Sequence, residues 1–134
     1  MKKEKINSSD FSKRLGAYSH GYAIEIGDAK IIFTTGQIAM DKEGKVLYPD
    51  DAGKQAEYVY QRLEKILNQA DASLDDVVKT TVYVADMNDF PVITKVRNQY
   101  LKNSEPVSTL VEVSKFVKPG TRVEIEVIAV VAKK

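Results

Sequence analysis

Cysteine is absent from the 134 residues, and histidine occurs once, as His20. The first absence removes disulfide scaffolds, thiolate metal sites and a cysteine nucleophile. The second leaves no convincing Ser-His-Asp triad and no histidine cluster for zinc, so no metal or cofactor is expected. An excess of one charge is missing too: 20 Lys and Arg face 19 Asp and Glu, for a net charge of +1. That balance gives no electrostatic case for nucleic acid or an anionic membrane as partner. No apolar run approaches the roughly 18 residues of a membrane span. The charged N-terminus is not followed by an apolar stretch of signal-peptide type. Gly-rich phosphate loops and dinucleotide fingerprints are also lacking. What remains is a chain of single-domain length, 43% hydrophobic and 29% charged, long enough to bury a core without cross-links. A cytoplasmic location is expected.

Two apolar runs dominate the C-terminal third, Pro106–Val113 and Val123–Ala132. Their β-branched density predicts strands. Glu112, Glu124 and Glu126 interrupt these strands. Carboxylates seldom sit deep in a core unless they are paired or have a task. The simple reading places all three on the solvated face of a half-buried sheet.

Upstream, Tyr22–Ile26 and Lys30–Thr35 flank Gly27-Asp28, a tight-turn signal that predicts a hairpin. Gly36–Pro49 has no sustained period and reads as an ordered loop. From Asp51 to Ala70, Ala56, Val59, Leu63, Ile66, Leu67 and Ala70 recur on one helical face, with Asp50 or Asp51 as cap. Leu74–Val84 reads as a strand. A second helix begins near Asn88-Asp-Phe-Pro91, with Asn88 as cap and Ile93, Val96, Tyr100 and Leu101 as its apolar face. The order is β-β-α-β-α-β-β within a single domain spanning residues 1–134. Within residues 1–10, Lys3–Ile6 add a short first strand or the segment stays a mobile tail. One mixed sheet with two helices on one face fits this order, an α/β (α+β) class. The other sheet face then has no cover from its own chain, which points to an oligomer.

Five blocks carry a family resemblance: Gly16-Ala-Tyr-Ser-His-Gly21, Phe33-Thr-Thr-Gly-Gln-Ile38, Val78-Lys-Thr-Thr-Val-Tyr-Val84, Asp86-Met-Asn-Asp-Phe90 and Val123-Glu-Ile-Glu-Val-Ile-Ala129. In this order and spacing they resemble the Rid family, the YjgF-type proteins, whose enzymes are reactive-intermediate (imine/enamine) deaminases. Older names are translation inhibitor and perchloric-acid-soluble ribonuclease. The resemblance implies a chorismate-mutase-like fold and a homotrimer with a small-molecule cleft between neighbouring subunits. It assigns Tyr18 to the border of the cleft, Thr35 and Gly36 to backbone contacts with the ligand, and Asn88 to the same pocket. Glu124 matches the carboxylate that positions or activates the attacking water.

One position departs. Active deaminases of the family read Pro-x-Arg-Ser/Thr, and that arginine binds the substrate carboxylate. Here the segment is Pro106-Val-Ser-Thr109, with Ser108 in place of the arginine. Serine offers one neutral donor where arginine offers a charged fork. Losing such a bond weakens carboxylate binding by about 10- to 100-fold. Impaired activity on 2-imino acids follows, with a non-enzymatic binding or regulatory protein as the alternative. Arg122 lies two residues before Glu124 and is the candidate compensating cation. A solvated arginine, or one paired with Glu124, is its plainer reading. Arg14, Arg62 and Arg97 have no better claim from sequence. His20 reads as a surface or hydrogen-bonded histidine, and Glu112 and Glu126 as structural.

Overall fold

A computed structural model describes all residues, 1–134. Six strands form one sheet in the order β1-β2-β3-β6-β4-β5. They are β1 (Lys3–Ile6), β2 (Gly21–Ile26), β3 (Ala29–Thr34), β4 (Val77–Val84), β5 (Val107–Glu112) and β6 (Val123–Ala132). Two helices, α1 (Ala52–Asn68) and α2 (Phe90–Tyr100), complete the chain. No helix is long and apolar enough to cross a membrane.

The first strand exists: Lys3–Ile6 pair antiparallel with Gly21–Ile24. The β2–β3 hairpin turns at Gly27, whose φ of 58° would strain any residue with a Cβ. All sheet neighbours are antiparallel except β4 and β5, which run parallel and are joined through α2. This is the right-sized crossover for a parallel pair. The central strand β6 alternates strictly. Val123, Ile125, Val127 and Ala129 are buried, whereas Glu124, Glu126 and Ile128 are half-exposed.

The buried side of β6 packs under α1, whose apolar stripe of Ala56, Val59, Leu63, Ile66 and Leu67 is fully enclosed. Asp51 caps α1 by accepting from Lys54 N at 2.9 Å. The helix closes two residues short of the expected Ala70, because Asp71 turns to a φ of 60° and Ala72 N bonds back to Leu67 O. The expected strand over 74–84 begins only at Val77. Ser73 and Asp76 form a capping box that folds Leu74–Asp76 into a single 3-10 turn. Asn88 does not cap the second helix. It lies inside a 3-10 turn, Met87–Asp89, that Asp86 caps by accepting from Asn88 N at 2.9 Å, and Asp89 then stands at the N-terminus of α2 without a side-chain capping bond.

The far sheet face carries Tyr22, Ile24, Ile31 and Phe33 from the hairpin and Ile128 and Val130 from β6. Phe33 is 40% exposed and Val130 39%. No element of the chain covers this face.

Candidate functional site

Glu124 projects from β6 on the open face, because its neighbours Val123 and Ile125 face the helices. It is nevertheless half-buried, because the segment after β3 crosses beside it. Thr35 N bonds to His20 O at 2.9 Å. Gln37 and Ile125 exchange both backbone bonds, N to O at 2.9 and 3.1 Å. These bonds press Gly36 onto the glutamate: a Cβ built there would lie 2.3 Å from Glu124 Oε2. Only glycine leaves the carboxylate its position.

No side chain or backbone group of the chain hydrogen-bonds the Glu124 carboxylate, and no cation pairs with it. Burial raises its pKa above the usual carboxylate range, and the charge of Glu126 adds to the rise. Glu126 itself is occupied, accepting from the Tyr83 hydroxyl at 2.7 Å. Glu112 is occupied too, taking Met87 N at 2.8 Å. Of the three strand glutamates, Glu124 alone has no partner and lines a cavity.

That cavity measures about 340 Å³ and is also lined by Tyr18, Thr35 and Gly36. Tyr18 stands at the rim, 45% exposed. The loop that carries it is braced by Arg14 Nη1 donating to Tyr18 O at 2.8 Å. Four of the sequence-derived candidates therefore meet in one chain. The other three lie elsewhere. Ser108 sits on the edge strand β5, opposite Thr80, in a separate cleft with Arg97 of α2 and Lys102 just beyond it. Asn88 is exposed in the turn before α2. Arg122 does not pair with Glu124. Its guanidinium grips Asp89 in a fork, Nε to Oδ2 at 3.1 Å and Nη2 to Oδ1 at 3.0 Å. That bond raises the arginine's pKa and ties β6 to the start of α2.

His20, Gln37 and Arg62 also line the cavity, and sequence reasoning gave none of them a place there. His20 is buried, and its Nδ1 accepts from Ser8 N at 3.0 Å. Burial and the nearby charges of Arg14 and Arg62 lower its pKa, so the ring is neutral at pH 7. With Nδ1 accepting, the ring proton resides on Nε2. Arg62 did leave a signal: it falls within the apolar stripe of α1, four residues from both Tyr58 and Ile66.

Comparison with known proteins places this geometry. The family model described as endoribonuclease L-PSP matches residues 11–131. A RutC family protein of Pyrococcus abyssi is 40% identical over 129 residues, 96% of this chain and 98% of that protein. The 2-iminobutanoate/2-iminopropanoate deaminase of Rattus norvegicus is 34% identical over 125 residues, 93% of this chain and 88% of that protein. The crystal structure of RidA from the Antarctic bacterium Psychrobacter superposes with a TM-score of 0.81 at 29% identity, covering 96% of this chain and 99% of that one. The mixed sheet with two helices on one face is the chorismate-mutase-like fold of such neighbours. The chain belongs to the endoribonuclease L-PSP family, the Rid or YjgF proteins.

Proposed function

We propose that this protein is a Rid-type imine hydrolase whose activity on 2-imino acids is reduced by Ser108. Water adds to the imine carbon, forming a C–O bond. The Glu124 carboxylate takes a proton from that water and returns one to nitrogen. The C–N bond then breaks, giving a ketone and ammonia from the imine and one water. The observation that carries this reading is Glu124 itself, a half-buried carboxylate without a protein partner, lining a cavity beside Gly36 and Thr35. Its raised pKa makes it a stronger base than an ordinary glutamate. The deaminase activity named for the rat relative supports the reaction class.

Ser108 and Asn88 lie outside this cavity in the single chain. A homotrimer would complete the site by placing β5 and the turn before α2 of one subunit against the Glu124 cavity of the next. The uncovered apolar face and the free edge of β5 are the surfaces available for that assembly.

The test is hydrolysis of 2-iminobutanoate generated in a coupled assay. Glu124→Gln removes the base and lowers kcat by at least about 100-fold, the usual scale of general base catalysis. A variant as fast as the wild type rules the mechanism out. Ligand binding without turnover in the wild type would instead favour the non-enzymatic binding reading.

A further inference from the structure

The Glu124 cavity contains a buried cation. Arg62 of α1 lines it at 6% exposure. Its Nε donates to Gln37 Oε1 at 3.1 Å, and its Nη1 to the Tyr58 hydroxyl at 3.2 Å and to Met40 O. The guanidinium carbon lies 3.9 Å from the centroid of the Phe11 ring. Every one of these partners is neutral. The ion pairs of the chain are Arg122 with Asp89 and Lys133 with Glu25, so no carboxylate answers Arg62. Its Nη2 has no hydrogen-bond acceptor within the chain.

A buried guanidinium held in place but not neutralised is a costly arrangement. Its neutral partners fix its orientation, as a binding group requires. The surrounding charge is of the same sign. Lys13 and Lys118 also line the cavity, where Glu124 is the sole carboxylate. The neutral His20 ring, with its Nε2 proton, adds a donor.

We infer that Arg62 is the anion anchor of this pocket, and that the ligand is a small C=N or C=O compound whose carboxylate is separated from the reacting carbon. The separation follows from what each pole is held by. Gly36 packs against Glu124, and the next residue, Gln37, is bonded to Arg62. No hydrogen bond and no ion pair joins Arg62 to Glu124, so the two do not compensate one another. A 2-imino acid carries its carboxylate directly on the imine carbon and serves both poles poorly. A carboxylate two methylenes away serves both. The inference rests on the reading of Glu124 as the hydrolytic carboxylate and adds the substrate class.

Titration calorimetry with three stable ketones tests it: 4-oxopentanoate, 2-oxobutanoate and the uncharged 2-pentanone. The wild type binds 4-oxopentanoate about tenfold or more tightly than either of the others, the scale of one charge-assisted bond. Arg62→Gln loses that advantage. Arg62→Lys keeps part of it, because the charge stays and the planar fork goes. Thermal melts establish that both variants are folded. Equal wild-type affinity for 4-oxopentanoate and 2-pentanone, or no binding of 4-oxopentanoate, overturns the inference without recourse to a variant. Full binding by folded Arg62→Gln overturns it as well. Imine hydrolysis measured in parallel separates the two readings. Arg62-dependent binding without hydrolysis of any imine leaves the anchor standing and removes the hydrolase. Glu124-dependent hydrolysis with Arg62-independent binding does the reverse.

Discussion

Glu124, by its burial, lowers the stability of the fold. Its folded-state pKa lies above the ordinary carboxylate value, so the native state holds its proton more tightly than the unfolded chain does. Stability therefore falls as pH rises from the unfolded pKa through the folded one, and the full penalty is present above both. Glu124→Gln removes that penalty. Urea unfolding should find the variant more stable than the wild type at pH 7, with the difference closing below about pH 4. A variant less stable at pH 7 would mean that the carboxylate is structural. At this scale the sequence disclosed the glutamate but not its surroundings. Alternation put Glu124 and Glu126 on one face, and only the resemblance separated them. The physical distinction is a hydrogen bond from Tyr83, which on the neighbouring strand β4 stands two positions from Thr81, the partner of Glu126. Arg62 left a signal that could be read two ways. A charged residue inside an apolar stripe reads as an edge position until the cavity and the Phe11 ring around it are seen.

Among the elements, α1 is tied to the start of β6 by Gln55, which is completely buried. Its Nε2 donates to Leu47 O, Tyr48 O and Gly120 O at 3.0 to 3.1 Å, and its Oε1 accepts Arg122 N at 2.8 Å. One amide thus joins the helix to the loop before it and to the turn that launches β6. Gln55→Leu fills the same space but strands these backbone groups. It should cost about 3 kcal/mol in urea unfolding; a loss under about 1 kcal/mol would show that water replaces the amide. The elements themselves were largely legible. Gly27 marked the hairpin, and Asp51 marked the start of α1. Two boundaries were not, because local side-chain bonds overrode the apolar pattern. Ser73 and Asp76 turned the expected strand start into a 3-10 turn, and Asp86 drew Asn88 into another, leaving Asp89 at the start of α2. The parallel pairing of β4 with β5 depends on contacts between distant segments, which no local pattern encodes.

For the whole molecule, the sheet's open face and its β5 edge determine the account. The face was anticipated from the count of helices and strands, and Phe33 and Val130 now mark its apolar centre. If a homotrimer buries it, light scattering gives three times the 15.0 kDa chain mass. Phe33→Glu should reduce that to the mass of one chain while the circular dichroism stays folded. A wild-type monomer at micromolar concentration would contradict the assembly and, with it, a site shared between subunits. The central claim is that Glu124 is in place while the cation that holds a 2-imino acid beside it is missing at Ser108. Its most direct test is the kcat/KM for 2-iminobutanoate of the wild type and of Ser108→Arg, assayed side by side. The account predicts a gain of about 10- to 100-fold on introducing the arginine, the worth of one charge-assisted carboxylate bond. An unchanged kcat/KM in a folded Ser108→Arg variant would contradict it.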